Sequence, residues 1–320
     1  METIENLVIG AGISGLLCAS ELSRAGREVV VLDKGRGLGG RMATRRMAGA
    51  RIDHGAQFFT VRDARFQKYV DEWLDAGIIR EWFSHSAEDS SSEGHPRYCG
   101  VTGMTDVAKY LAADLKVHRS ERVVALARDI DLWVAKTDSG KVFTAKHLVM
   151  TAPLPQSLLL LDSTGLDYAA DQLSELRSVT YEKGLAALVL LDGPSGLDEP
   201  GGLKVDEGPL TWIADNSMKG ISPDVSALTL HANAEFAETH WDSPDGVRGQ
   251  LMIDAARNYI RSNVLEFSCH RWGFTLPVNP LQQSFFSNHH LKLMLAGDAF
   301  GGPRIEGSAL SGLAAAARLL

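Results

Sequence analysis

Cysteine is scarce in this 320-residue chain, and its scarcity excludes several chemistries. There are three, Cys18, Cys99 and Cys269. Their odd number, wide spacing and lack of a CxxC pair argue against a disulfide framework and against a thiolate metal or redox centre. A reducing, cytoplasmic compartment fits best. Positive charge is also in deficit: 32 Lys and Arg face 40 Asp and Glu, a net charge of -8. No overall field is therefore available to hold a nucleic acid polymer or an anionic membrane. No apolar run approaches the roughly 18 residues of a membrane span, and residues 1–6 have neither a basic nor a long apolar leader pattern. A soluble protein is expected. A catalytic triad pattern, a metal-ligand cluster and an internal repeat are all missing.

What is present begins at residue 7. Leu7-Val8-Ile9 reads as a short buried strand that ends in Gly10-Ala11-Gly12-Ile13-Ser14-Gly15. A helical pattern (Leu16, Leu17, Ala19, Leu22) runs on to a stop at Gly26, and Val29-Val30-Val31-Leu32 reads as a parallel strand with Asp33 at its carboxyl end. This is a complete βαβ unit with a dinucleotide fingerprint. Its glycines serve a tight turn, close approach of backbone to a pyrophosphate, and close helix–strand packing. Backbone N–H groups at the helix start face the phosphates. Asp33 stands eighteen positions after Gly15, near the spacing of about 20 expected for a ribose hydroxyl acceptor. A carboxylate there repels a 2′-phosphate, which favours an unphosphorylated adenosine ribose, as in FAD or NAD.

The length exceeds what one core usually fills, so two interleaved domains are expected. A helix over 105–115 leads to short strands at 122–127, 132–136, 141–145 and 148–151. A last strand at 291–296 precedes a helix over 308–320. The dinucleotide-binding domain is accordingly placed at 1–57, 101–155 and 288–320, and a smaller α+β substrate domain at 58–100 and 156–287. Strands at 185–191, 210–214, 227–231 and 272–276 fall in the second, with a Ser- and acid-rich surface loop at 84–93.

Lys34-Gly35-Arg36-Gly37-Leu38-Gly39-Gly40-Arg41-Met42 is a second glycine-rich, basic stretch directly after Asp33, and Ala296-Gly297-Asp298-Ala299 closes the last strand. Both resemble motifs of FAD enzymes of the glutathione-reductase-like class. Together with Thr44-Arg45-Arg46, Asp53-His54-Gly55-Ala56-Gln57-Phe58-Phe59-Thr60, Leu230-His231-Ala232 and His270-Arg271-Trp272, they make the chain resemble the renalase family, within the amine oxidase superfamily. The resemblance implies an α/β fold with a Rossmann-type FAD-binding domain and a non-covalently held FAD. It implies an oxidase of the 2- and 6-dihydro isomers of NAD(P)H, which returns NAD(P)+ and passes electrons to O2 as H2O2.

By that resemblance, Gly10, Gly12, Ser14, Gly15, Asp33, Lys34, Arg41, Gln57, Phe58, Val123, Asp298 and Ile305 bind the cofactor. Gln57 and Phe58 then lie beside the isoalloxazine, while Phe58, His231 and Trp272 wall the substrate cavity. Phe59, Thr60, Arg62 and Arg97 are carried as substrate-binding, the arginines as partners for a dinucleotide pyrophosphate. No general base is expected, because a dihydropyridine carbon gives up hydride without losing a proton. His231 and Trp272 are also plausible core residues. Three other functions stay open: an amine oxidase or desaturase, an aromatic hydroxylase using NADPH, and a flavin-binding redox sensor without turnover. Against the first, residues 301–312 contain no tyrosine for a paired aromatic cage.

Overall fold

A computed structural model of the chain describes residues 3–84, 95–166 and 170–320. The loop expected at 84–93 lies outside them, apart from Ser84. The chain divides into two compact units, one of Met1–Gly40, Ala108–Thr180 and Leu276–Leu320, the other of Arg41–Val107 and Tyr181–Thr275. Residues 41–57 and 101–107 thus fall in the second unit rather than with the dinucleotide-binding segments, and 156–180 and 276–287 fall in the first. Local packing explains both shifts. Ala50 and Ile52 bury against Leu188, Leu190 and Ala227 of the second unit. Val278 N donates to Thr180 O and Leu281 N to Ala299 O, which ties the later segment to the first.

The first unit is built on an eight-stranded sheet. Its main order is Phe286–Asn288, Leu293–Leu295, Val142–Met150, Ile4–Ile9, Val29–Leu32, Lys116–His118, and Val123–Asp129 and Leu132–Thr137 form a meander on its flank. The central neighbours run parallel. All four residues of Val29–Leu32 are buried, as an interior parallel strand requires. The strands expected at 141–145 and 148–151 are one strand, Val142–Met150. Its first half pairs with Leu132–Thr137 and its second with Leu293–Leu295, so the polar Lys146 and His147 mark a change of neighbour rather than a break. The helix Ile13–Arg24 ends before Gly26, whose φ of 76° suits glycine alone. The last helix starts three residues earlier than expected, at Ile305–Leu319. It packs so closely on the first that a Cβ at Gly312 would lie 2.1 Å from Ser14 O.

The second unit carries a five-stranded sheet in the order Gly202–Lys204, Leu210–Asp215, Ala227–Ala232, Gly184–Leu191, Val264–Trp272. Every pairing is antiparallel. The strand expected at 272–276 is in fact Val264–Trp272: Gly273 follows it, and Thr275 N turns back to Glu182 O. Alternation gives the sheet two different faces. Leu185, Ala187, Val189, Leu228, Leu230 and Cys269 point to one side and form a core with Ala237, Met252 and Ile253 from the helices Ala234–Thr239 and Asp245–Ala255, and with Ala256 just after the second. Ala186, Leu188, Thr229, His231 and His270 point to the other. Among the described residues no helix is long and apolar enough to cross a membrane.

Candidate functional site

The first unit holds the fingerprint turn in the form its glycines predict. Gly10 has φ 116°, and a Cβ there would lie 2.5 Å from Thr151 Oγ1. A Cβ at Gly15 would lie 2.0 Å from Gly10 O. Gly12 is different, because nothing in the protein comes within 4 Å of the Cβ it lacks. Space, not packing, explains that glycine. Gly12 also caps the helix Ile13–Arg24 without any side-chain hydrogen bond, and Ser14 Oγ is buried with no partner. The positive end of a helix therefore opens onto free room with an unused hydroxyl, which fits a pyrophosphate.

Asp33 closes the turn on the other side. Its Oδ2 accepts from Ala11 N and its Oδ1 from Gly35 N, both at 2.6 Å. Lys34 Nζ donates to Gln156 Oε1 at 3.0 Å, and burial, then Arg122, pull its pKa down. Val123 is buried at the start of its strand. Asp298 is buried beside Gly297, whose N–H donates to Ser311 Oγ at 2.9 Å. Ile305 begins a helix that, like the first, has no side-chain cap. Two uncapped helix starts, a glycine with open space and a strand-end carboxylate together fit an adenine dinucleotide.

The second unit brings two of the expected substrate residues, His231 and Trp272, to one face of its sheet. Trp212, His231, Ala186 and His270 stand opposite one another on four neighbouring strands, so their side chains share a face. Trp272, two residues after His270, shares it too. Small Ala186 is thereby flanked by rings. His54 joins them: its ring stacks on Trp272 at 5.2 Å and meets His270 edge-on at 4.9 Å. The His54 carbonyl accepts from Trp272 Nε1 at 2.9 Å. Phe58 lies 5.4 Å from Trp212, with the Arg97 guanidinium 5.4 Å over its own ring.

The other expected residues are placed elsewhere. Phe59 turns away from Phe58 into a cluster with Phe66, Trp73 and Tyr98. Thr60 is half-buried and Arg62 exposed. The Arg41 guanidinium donates to Thr275 O at 3.0 Å and Phe274 O at 3.4 Å. Sequence reasoning missed Trp212, His270 and Lys219. The first two could have been found by extending the alternation through His231 and Trp272 to neighbouring strands. Lys219 gave no signal.

Lys219 is nevertheless the most enclosed charge near the rings. It is fully buried, as is its partner Asp53 at 2.7 Å, and its Nζ also donates to Gln57 O at 2.5 Å. Asp53 further accepts from Thr44 Oγ1 at 2.5 Å and Met104 N at 2.9 Å. Gln57 Nε2 donates to the carbonyls of Asp53 and Gly55, which fixes the amide orientation and leaves Oε1 buried without a donor. This network pins residues 53–57.

The imidazoles are neutral. Burial, reinforced by His270, Arg45 and His231, pushes His54 down to about 3. Burial and Lys219 push His231 down to about 4, against a hydrogen bond to the His54 carbonyl that raises it. Unfolded chains take up protons on both near the ordinary 6.5, whereas the folded protein waits until about 4 and 3. The unfolded state thus binds more protons in that window, and stability falls as pH drops below 6.5. Calorimetry is expected to give a lower melting temperature at pH 5 than at pH 7.5, and His231→Phe is expected to reduce the difference. A melting temperature that rises on acidification contradicts the assignment.

Comparison with known proteins places these features in a family. Residues 8–73 match a model of the NAD(P)-binding Rossmann-like domain, and residues 80–320 match that of flavin containing amine oxidoreductase. The chain is similar to renalase of Mus musculus, 24% identical over 332 residues covering 96% of each chain. It is 45% identical over 56 residues to a putative flavin-containing monoamine oxidase of Mycobacterium tuberculosis, across 18% of this chain and 12% of that one. Its fold matches a redesigned putrescine oxidase with a TM-score of 0.75 at 13% identity, covering 99% and 98% of the two chains. A putative protoporphyrinogen oxidase of an Exiguobacterium species matches with 0.73 at 15% identity, covering 100% and 99%. With a dinucleotide cradle in its first unit and a family match over three quarters of its length, the chain belongs to the flavin containing amine oxidoreductases.

Proposed function

We propose that this chain is an FAD-dependent oxidase of dihydropyridine dinucleotides, which takes hydride from the 2- and 6-dihydro isomers of NAD(P)H and returns NAD(P)+. When bound, FAD would supply a two-electron acceptor for the hydride and, with one proton from solvent, the reduction of O2 to H2O2. Gly10, Gly12, Ser14, Gly15 and Asp33 would hold its dinucleotide half. The link is non-covalent. Burial pushes the Cys18 thiol up to about 12 and also raises Cys99 and Cys269, so none is a ready thiolate.

The observation that carries this reading is the row Trp212, His231, Ala186 and His270 with Trp272 beside it. Flat, neutral rings around a small floor suit a flat, neutral substrate ring. Lys219 beside His231 is neutralised by Asp53 at 2.7 Å, and Arg45 acts on His54 and His270. These groups offer a protonated amine no unpaired carboxylate. A dihydropyridine needs no base to release hydride, so positioning is the protein's task.

The family match favours a second reading, oxidation of an amine. Aerobic incubation separates the two: 2- or 6-dihydro-NAD(P) is expected to give NAD(P)+ and H2O2 in equal amounts, while primary amines, polyamines and ordinary NADH give little peroxide. Peroxide formed from an amine and not from the isomers would establish the second reading.

A further inference from the structure

We infer that Trp212 and His231 together read the carboxamide of the substrate's pyridine ring, Trp212 Nε1–H donating to the amide oxygen and His231 Nε2 accepting an amide N–H. The inference rests on the dihydropyridine reading above and adds to it the group that distinguishes a nicotinamide from other flat rings.

Two unsatisfied atoms motivate it. Trp212 Nε1 and His231 Nε2 are both buried with no hydrogen-bond partner, although buried polar atoms are rarely left so. One can only donate. For the other, we assign the proton of the buried, neutral His231 ring to Nδ1, which leaves Nε2 its lone pair to accept. Trp212 and His231 are directly opposed on adjacent strands, a spacing of about 5 Å between Cβ atoms. One buried donor and one buried acceptor on directly opposed residues complement an amide, which offers one acceptor and one donor on neighbouring atoms.

Other ligand groups match less well. A carboxylate has no proton to give to His231. An ammonium has no acceptor for Trp212. His54 Nδ1 and Gln57 Oε1 are also buried without a partner.

The test uses equilibrium binding of oxidised dinucleotides to the FAD-loaded enzyme, read from the shift in the flavin absorbance and independent of turnover. NAD+ is compared with its 3-acetylpyridine analogue, which keeps the carbonyl and replaces the NH2 by CH3. The wild type is expected to prefer NAD+ by about tenfold, the scale of one buried hydrogen bond with its unpaired acceptor. His231→Phe keeps a ring and is expected to bind both ligands alike. Trp212→Phe removes the N–H together with one fused ring and is expected to weaken both by a similar factor, preserving the preference. Unchanged preference in His231→Phe, with NAD+ bound by the wild type and the dihydro isomers turned over, would overturn this inference and leave the proposed function standing. If neither dinucleotide binds the wild type and the isomers are not oxidised, both fall together. Flavin content and near-ultraviolet circular dichroism show whether each variant is folded.

Discussion

Replacing Lys219 by methionine is expected to destabilise the protein by about 3–5 kcal/mol, the cost of stripping one partner from a buried ion pair. Both Lys219 and Asp53 have fully buried side chains. Without the ammonium, Asp53 keeps a carboxylate supported by Thr44 Oγ1 and Met104 N but uncompensated in charge. The lysine also donates to Gln57 O and lies 4.9 Å over the Trp82 ring, so the 53–57 segment and the aromatic wall loosen together. In thermal unfolding the midpoint is expected to fall by on the order of 10 °C. The double variant Lys219→Met with Asp53→Asn is expected to recover part of the loss, because no net charge remains buried. A single variant as stable as the wild type would show that the pair is not closed as described.

The fingerprint glycines are expected to fail in two different ways. Gly15→Ala puts a Cβ 2.0 Å from Gly10 O and 2.7 Å from Thr151 Oγ1. The first of these neighbours is backbone and cannot give way, so the turn must open. Gly15→Ala is expected to purify with less than about a tenth of the wild-type flavin and with a lowered apoprotein melting temperature, since no rotamer relieves a backbone clash. Gly12→Ala meets no protein atom within 4 Å. Its apoprotein is expected to melt like the wild type, yet to hold flavin poorly because the methyl occupies the space that backbone needs to approach a pyrophosphate. Equal flavin content in Gly12→Ala and the wild type would mean that no phosphate approaches that turn.

The βαβ unit was legible because its signals are local. Leu7-Val8-Ile9, three spaced glycines and Val29–Leu32 need only their own neighbours to declare strand, turn, helix and strand. The ring-walled face was legible only in part. His231 and Trp272 came from the resemblance, and His270 follows from alternation two residues before Trp272, but Trp212 joins them only through strand register with His231, 19 positions away. Lys219 was invisible for another reason: in Asn216-Ser217-Met218-Lys219-Gly220 it reads as a solvated turn, and only the long-range contact with Asp53 makes it a buried cation. The domain boundaries shifted because Ala50 and Ile52, in a short hairpin close to the fingerprint in sequence, find their packing partners near residues 188–190 and 227. Strand ends moved where a polar pair such as Lys146-His147 looked like a turn inside a continuous strand.

Anaerobic rapid mixing of the FAD-loaded enzyme with 2- or 6-dihydro-NAD(P) tests the central claim most directly, since it isolates hydride transfer from the later reaction with oxygen. The account predicts that the flavin band near about 450 nm bleaches within seconds, the range of enzyme turnover, and that equimolar NAD(P)+ appears. Ordinary 4-dihydro NADH is expected to be at least about a hundredfold slower, because its transferable hydrogen sits on a different ring carbon and a misplacement of about 1 Å costs that much. Bleaching by a primary amine, with the dihydro isomers leaving the band intact, would contradict the account.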